Sequence, residues 1–477
     1  MTSGTIQPGR TFDLNDQHRF AALSGDANPF HVDPVAARRL MYGQPVVHGV
    51  HTLLWVLDRW LAGIAEPALR LTSVRAEFRQ PLRLGQAVFW SCTANGERQA
   101  RLEAATDTAK IATVVVRWQE AGVPSPAADR APGLETPHDL AVGAISGVAG
   151  TVPASYDHAL AAALLPVASA KLPGDQFAAL LASTRVVGVR VPGLHSLFNH
   201  LDLRDARDSG DQVHYAVESF DERFARVVVT LRGSGLAGTL SAIVRPAPVQ
   251  QPSYAVVARS VRAGEFAGQR ALVIGGSRGL GEIGVKQLAA GGAEVRFSYH
   301  QGETEAAHLT AEIAAGGGRA TPFRHDARER NPGLEDLLRE FRPTLLFFFS
   351  TPSVAGAPRG RFDPMLFHDL CRVYVDGFLA VFVAAAGAGS LVGAMQPSSI
   401  FVEELPAGMA EYATAKTAAE TMIATLRAGH PQVRFHTPRW GRMLTDLAAS
   451  VLAADTADPL PVVLAALRRT AGDGGPG

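Results

Sequence analysis

Asp26 and His31 stand five residues apart in the run Ser24-Gly25-Asp26-Ala27-Asn28-Pro29-Phe30-His31-Val32-Asp33. A carboxylate and an imidazole that face one pocket can hold a single water between them, one group acting as base and the other as acid. Pro29 breaks the chain between the two, which lets both side chains turn to the same side. A little further on, Pro45-Val46-Val47-His48-Gly49 leads into an apolar stretch from His48 to Ile64 that reads as a helix. Gly49, at its start, can offer a backbone N–H where the helix also carries partial positive charge, so an oxygen that gains negative charge during reaction would be held there. This combination suits adding water to, or removing it from, a double bond conjugated with a thioester carbonyl. Out of context, Asp26 and Asn28 would read as turn caps and His31 as a surface residue. His48 reads as a structural residue of the helix start.

A second set of residues lies far downstream. Ile274-Gly275-Gly276-Ser277-Arg278-Gly279-Leu280-Gly281 falls between an apolar strand-like run and a helical one. In such a turn Gly275 permits the tight bend, Gly279 the close approach of a pyrophosphate and Gly281 the packing of helix on strand. Tyr412 and Lys416, in Tyr412-Ala413-Thr414-Ala415-Lys416, are one helical turn apart and share a face. A lysine there lowers the proton affinity of the phenol, and the tyrosine gives a proton to a nascent alkoxide. The chain has only four lysines, Lys110, Lys171, Lys286 and Lys416, so a Lys at this spacing is a less frequent accident than in a Lys-rich chain. Read without its context, the pair would be two exposed helix residues.

The elements that must position these groups fall into three segments, expected at 1–125, 138–248 and 260–477 and separated by proline-rich stretches. The first stretch holds Pro124, Pro126, Pro132 and Pro137, and the second is Pro246-Ala247-Pro248-Val249-Gln250-Gln251-Pro252. Proline fixes φ and removes a donor, which suits exposed linkers. In the first segment the helix is followed by strand-like runs at 71–79, 86–93, 101–106 and 111–118, which predicts an antiparallel sheet wrapped around one helix. The second segment is expected to repeat that plan, with Pro192-Gly193-Leu194-His195-Ser196 opening an apolar stretch, His195 at its helix start, and strands at 212–218, 226–232 and 238–245. It has no equivalent of Asp26 and His31. The third segment alternates strand-like runs at 271–274, 294–299, 320–323, 345–349 and 390–395 with helical ones, which predicts a doubly wound parallel sheet.

The first motif, with Ala76-Glu77-Phe78-Arg79-Gln80-Pro81-Leu82-Arg83-Leu84-Gly85 downstream, resembles the active-site segment of MaoC-like (R)-specific enoyl-thioester hydratases. The resemblance implies a hot-dog fold, a double hot-dog with one working half, and the roles of catalytic Asp, catalytic His and oxyanion donor for Asp26, His31 and Gly49. The second motif resembles the short-chain dehydrogenase/reductases. That resemblance makes Gly275, Ser277, Arg278, Gly279, Gly281, Asp326 and Lys416 cofactor-binding residues and Ser399, Tyr412 and Lys416 catalytic ones. Asp326 would contact the adenine, or else cap a turn. Arg278 would meet a 2′-phosphate, and Tyr299 and His300 stand where an acid would select NAD, so NADPH is the expected cofactor. An alternative alignment takes Ser399-Ile400-Phe401-Val402 as the strand and puts Glu403 or Glu404 at the catalytic position. Two departures from the family pattern stand out. Phe349-Ser350-Thr351-Pro352 replaces its Asn-Asn-Ala-Gly run, and Tyr374 stands where it has an Asn that supports a proton-relay water.

The leading expectation is a bifunctional enzyme that reduces a 3-oxoacyl thioester with NADPH and dehydrates the resulting (R)-3-hydroxyacyl thioester, or hydrates the enoyl thioester in reverse. Peroxisomal multifunctional enzymes combine the same two domain types in the opposite order. Two alternatives stay open: a hydratase whose reductase-like domain is catalytically silent, and an acyl-carrier docking scaffold of a polyketide or fatty-acid assembly. The substrate carrier is coenzyme A or an acyl-carrier protein, and a homodimer is expected by analogy with such reductases. Formal net charge is zero, which provides no field for nucleic acid. The only cysteines, Cys92 and Cys371, lie in different segments, which fits a reducing cytosol and argues against a disulfide framework or a thiolate metal site. Residues 1–14 have no apolar signal-peptide core, and no uninterrupted apolar run of membrane-spanning length is seen, so a cytoplasmic enzyme without a membrane span or a metal is expected.

Overall fold

In the computed structural model, residues 7–94, 97–122, 127–206, 208, 210–329, 331–352, 354, 362–448 and 455–472 are described. Pro124 and Pro126 of the first proline-rich stretch lie outside them. Ten antiparallel strands make one continuous sheet in the first part of the chain. These are β1 (Gln7–Thr11), β2 (Leu69–Phe78), β3 (Ala87–Ala94), β4 (Gln99–Ala105), β5 (Lys110–Glu120), β6 (Ala149–Pro153), β7 (Ser196–Asp205), β8 (Gln212–Asp221), β9 (Arg226–Gly233) and β10 (Leu236–Val244). Their spatial order is β1-β3-β4-β5-β2-β7-β10-β9-β8-β6. Each half therefore arranges its five strands as first, third, fourth, fifth, second, and the halves join through their second strands, from Ser73↔Arg204 to Glu77↔His200.

Each half also places one long helix between its first and second strand. Helix α1 (Leu14–Ser24) precedes α2 (Gly49–Leu61) in the first half, and α3 (Gly174–Arg185) serves the second. The strands bury alternate residues: Ala100, Leu102 and Ala104 of β4 face inward, while their neighbours are only partly covered. Leu53, Leu54 and Leu57 of α2 and Phe177, Leu180 and Leu181 of α3 belong to the same core. Removing such side chains from water stabilises by about 1.5–3 kcal/mol each, which is what holds the sheet to its helices.

The helix of the second half corrects the sequence reading. It lies at Gly174–Arg185, before Pro192 rather than after it. Every residue of α3 except Asp175 is buried, so it has no polar face and no helical periodicity to detect. The run Pro192 to His195 is a loop leading into β7, and His195 starts no helix; its Nε2 lies 3.1 Å from Asp139 Oδ1.

The chain divides after Ala247 into a second compact unit. Six parallel strands, β11 (Arg270–Ile274), β12 (Glu294–Tyr299), β13 (Arg319–Arg324), β14 (Leu345–Phe348), β15 (Gly393–Met395) and β16 (Arg434–His436), stand in the order β13-β12-β11-β14-β15-β16. Written from β11 as one, this is 3-2-1-4-5-6, the order of a dinucleotide-binding doubly wound sheet, whose ligands sit at the carboxyl ends of the strands where the order reverses. Helices α4 (Gly279–Ala290) and α5 (Ala410–Gly429) follow β11 and β15. The fifth strand is shorter than the expected 390–395, and β16 is an addition. The helical segment Pro364–Gly387 is long and apolar enough to cross a membrane by length and composition, although Asp369, Arg372 and Asp376 interrupt its apolar run. Leu370, Val373, Phe378, Val381 and Phe382 of this segment are buried in the unit's core, as in the core helix of a doubly wound domain.

Candidate active sites

The chain around Asp26 is shaped by a succession of caps. Asp13 and Asp16 cap the start of α1 reciprocally, at 2.8 and 3.0 Å. Its end is closed by Gly25 at φ +78°, a left-handed conformation suited to glycine. Asn28 then caps a single turn, Pro29–Val32, accepting from Phe30 N at 3.1 Å. Its amide Nδ2 reaches across to the carbonyls of Gly188 and Gly193, at 2.9 and 3.2 Å. Asp26 and His31 are thereby presented on either side of a fixed turn.

The imidazole of His31 donates from Nδ1 to the Val46 carbonyl at 2.8 Å. With that proton on Nδ1, Nε2 keeps its lone pair. Burial, aided by the neighbouring His48 ring, pushes the His31 pKa down to about 3, so the ring is neutral near pH 7. Asp26 is 1% exposed, and burial raises its pKa, against the opposing pull of His31 and of hydrogen bonds from Thr184 and Asn28. Asp26, His31 and His48 each bring one ligand atom within 4.8 Å of the others. Both ring nitrogens of His48 are already engaged, Nδ1 with Gln17 Oε1 and Nε2 with the Asp26 carbonyl, each at 3.0 Å. That leaves two groups, the number an acid–base pair needs. His48 stacks on His31 with ring centroids 3.8 Å apart and is a buried support at the start of α2.

A cavity of about 330 Å³ opens in front of the pair. Asp26, His31, Gly49, Phe78, Thr184 and Phe198 are among its walls, so both halves of the sheet contribute. Gly49 is the first residue of α2, where an amide has no partner within the helix. A side chain there would meet the Phe78 ring at 3.1 Å. Sequence reasoning missed Thr184 and Gly188. Thr184 Oγ1 donates to Asp26 Oδ2 at 2.7 Å from 158 residues away, and no local spacing carries such a contact.

In the second unit, Tyr412 and Lys416 lie on α5, and Ser399 lies in a two-residue strand that pairs with Arg439–Trp440. Ser399 is hydrogen-bonded to Tyr412. The alternative alignment fails, because Phe401–Glu404 is helical and Glu403 pairs with Arg439. Burial raises the Tyr412 pKa to about 12, with the Ser399 hydrogen bond opposing it. Lys416 is 6% exposed, and burial lowers its pKa to about 7. Its ammonium donates to the Pro397 carbonyl at 2.8 Å and lies 3.7 Å from the centre of the Tyr374 ring, against 5.7 Å for Tyr412. Tyr374 is fully buried within a widened turn, Arg372–Gly377, and its hydroxyl bonds to Thr351. The Tyr374 carbonyl accepts from Gln396 Nε2 at 2.9 Å.

The glycine-rich turn leaves β11 with Gly275 at φ +78° and Gly279 at φ +59°. A Cβ on Gly281 would lie 2.0 Å from the Gly275 carbonyl, whereas one on Gly279 would meet nothing nearer than 4.0 Å. The turn is thus tightly folded on its inner side and open at the start of α4, which fits a pyrophosphate. Ser277 is buried in the turn, and Arg278, the residue before α4, lies 3.8 Å from Asp446. Asp326 is gripped by Arg328 at 2.7 Å and faces His300 at 3.3 Å; these contacts bring its pKa down to about 2 against the effect of burial.

Residues 4–116 match the family model for the MaoC like domain. Among curated proteins none matches the chain. Solved structures similar to it include a dehydrogenase/reductase from Sinorhizobium meliloti 1021, 22% identical, covering 43% of this chain and 90% of that one with a TM-score of 0.38. A short chain dehydrogenase from Salmonella enterica serovar Typhi is 18% identical, with coverage of 47% and 95% and a TM-score of 0.41. One from Burkholderia cenocepacia J2315, solved in complex with NADP, is 22% identical, with coverage of 43% and 91% and a TM-score of 0.38.

Proposed function

We propose that this chain is a bifunctional acyl-thioester enzyme, with a double hot-dog hydratase/dehydratase over residues 1–248 and an NADPH-dependent 3-oxoacyl reductase over 260–477. The observation that carries the reading is the neutral His31, locked through Nδ1 and lining one cavity together with a buried Asp26. In dehydration His31 Nε2 takes the C2 proton of a 3-hydroxyacyl thioester, and protonated Asp26 gives its proton to the C3 hydroxyl, which leaves as water. The raised pKa of Asp26 supports its holding that proton. The Gly49 N–H and the start of α2 stabilise the enolate-like thioester oxygen. The pair ends with its one proton moved from Asp26 to His31, and hydration runs the same steps backwards.

In the second unit, the turn from Gly275 to Gly281 with Ser277, Arg278, Asp326 and Lys416 would hold the dinucleotide. The bound nicotinamide would supply a hydride to the 3-oxo carbon. Tyr412, oriented by Ser399, gives the proton to the alkoxide oxygen. Arg278, and the absence of an acid at Tyr299 and His300, support NADPH over NADH. Solvent-exposed Met365, Leu379 and Val383 on the Pro364–Gly387 segment support pairing of two copies through this unit. Acyl-CoA and acyl-carrier-protein thioesters both suit the first site.

One observation favours a second reading, a hydratase whose nucleotide-binding unit does not turn over. Lys416 rests on the Tyr374 ring and the Pro397 carbonyl, and Tyr374, whose carbonyl accepts from Gln396, stands where the family pattern has the Asn that supports a relay water. Purified protein with NADPH and acetoacetyl-CoA separates the readings by absorbance at two wavelengths. Loss of NADPH with appearance of the enoyl thioester supports both half-reactions. Constant NADPH with consumption of added crotonyl-CoA leaves the second reading. Silence in both assays favours a carrier-protein substrate or a docking scaffold.

A further inference from the structure

The half of the first unit that lacks an acid–base pair of its own reaches into the site of the other. Over five residues, 184–188, it grips the catalytic turn three times. Arg185 Nε donates to the Ser24 carbonyl at 2.9 Å, Thr184 Oγ1 to Asp26 Oδ2 at 2.7 Å, and the Gly188 carbonyl accepts from Asn28 Nδ2 at 2.9 Å. The helix widens here: after Arg185 the turn Val186–Arg190 closes from Val191 N to the Val186 carbonyl, five residues back. Such widened turns recur at functional sites because they redirect the groups that follow.

We propose that Thr184 is a positioning residue for Asp26: its hydroxyl, supplied by the second half, fixes the orientation of the carboxyl group that exchanges a proton with the thioester substrate. The inference rests on the hydratase reading given above. A threonine or serine inside a helix ordinarily turns its hydroxyl back to its own helix. Ser183 does so, donating to the Leu180 carbonyl at 2.7 Å, whereas Thr184, 4% exposed, turns to Asp26. Gly188 completes the device by having no side chain. A Cβ there would lie 2.3 and 2.4 Å from the two Asp26 carboxyl oxygens, so the backbone passes against the carboxyl group and limits its rotation. The other two grips end on backbone and amide groups and would serve a packing seam equally well. The Thr184 bond ends on the reacting group itself.

The titratable and charged groups that face Asp26 are His31 and Arg185, with His48 on its backbone carbonyl. Among the described residues, Thr184 is the remaining polar contact on the carboxyl besides the Asn28 N–H at 3.2 Å. Thr184→Val keeps the shape and removes the hydroxyl, while Thr184→Ser keeps the hydroxyl. Full-length protein is assayed for crotonyl-CoA hydration across pH, and the Asp26 carboxyl is titrated by NMR with carboxyl-labelled aspartate, with Asp26→Asn assigning its signal. Thr184→Val is expected to lower kcat about tenfold with KM little changed, since an orienting bond to an acid–base group acts on the chemical step. It should also move the Asp26 titration, and the limb of the pH profile that reports it, to higher pH. Thr184→Ser should restore both. The proposal is overturned if the wild type is active and all three proteins titrate and turn over alike, or if Thr184→Ser fails as Thr184→Val does. A wild type that leaves both crotonyl-CoA and crotonyl thioester on an acyl-carrier protein untouched overturns the hydratase reading, and the proposal with it; where only the carrier-protein thioester turns over, the same variants are read on that substrate.

Discussion

In the first unit the imidazole of His31 gives one nitrogen to the Val46 carbonyl and keeps the other open to a cavity. In the second, the ammonium of Lys416 gives a hydrogen to the Pro397 carbonyl and lies flat against the Tyr374 ring, whose own carbonyl is taken by Gln396. His31 is partly covered and Lys416 buried, and desolvation pushes both towards the neutral form, to about 3 for His31 and about 7 for Lys416. The difference lies in what remains for a substrate. A side chain fixed through half of its hydrogen-bonding capacity is oriented and still reactive. One whose partners are supplied by the protein on two sides is oriented towards the protein, and a ligand must compete for it. The first site thus turns a ring nitrogen towards its cavity, while in the second Lys416 already rests on a carbonyl and a ring of the protein.

The largest effect expected from this contrast is at the first pair. Asp26→Asn or His31→Gln should lower enoyl-thioester hydration by about 10²–10⁴-fold, the usual weight of a general acid or base, while NADPH oxidation by the second unit stays unchanged. Steady-state rates on crotonyl-CoA and acetoacetyl-CoA check both halves of the statement. Hydration that survives either substitution would break the comparison at its stronger side. Next comes Tyr412→Phe, expected to lower NADPH-linked reduction by roughly 10²-fold or more and to leave hydration intact. Unaltered reduction in that variant would move the proton donor away from α5.

How far these groups could be read from the chain depended on how local their logic is. Asp26, His31 and Gly49 belong to one capped turn and the helix after it, and their chemistry was written in adjacent residues. Tyr412 and Lys416 are one helical turn apart, and the glycines from 275 to 281 mark a bend, so the second site was equally visible as a pattern. Thr184 and Gly188 were invisible, because they come from the end of a buried helix without an amphipathic period and from the widened turn after it, and the Asp26 carboxyl lies 158 residues from Thr184. Gln396 was invisible for a similar reason, since its partner is the Tyr374 backbone carbonyl and a carbonyl has no residue type. The place of Tyr374 was readable as a departure from a pattern; the ring lying under the ammonium was not.

A smaller effect sharpens the second half of the comparison by separating the ring of Tyr374 from its hydroxyl. Tyr374→Phe removes the bond to Thr351 and keeps the surface on which Lys416 rests. The variant should lose about 1 kcal/mol of stability, the net worth of one such hydrogen bond, with the reduction rate unchanged within about twofold. Urea unfolding and NADPH oxidation measure the two. A large change in rate would assign the hydroxyl to the proton path and make the second site a rebuilt relay rather than an occluded one.

The buried histidines of the first unit set the slowest-acting term, its response to acid. His31 and His48 have native pKa values of about 3 against an ordinary 6.5, and His51, buried among Phe12 and Phe20, is lowered as well. The unfolded chain takes up these protons first as pH falls, so their contribution to stability is complete above about pH 6.5 and is lost progressively between there and about pH 3. Asp26 acts in the opposite sense: its raised native pKa makes the folded state the better proton binder just above the ordinary carboxyl range. Three imidazoles against one carboxyl leave a net loss in acid. The urea midpoint of the first unit should be lower at pH 5 than at pH 7.5, and His48→Gln, which keeps an amide donor beside the Asp26 carbonyl, should flatten the difference. An equal pH dependence in that variant would show that His48 does not titrate on unfolding, and would leave the acid response to His31 and His51.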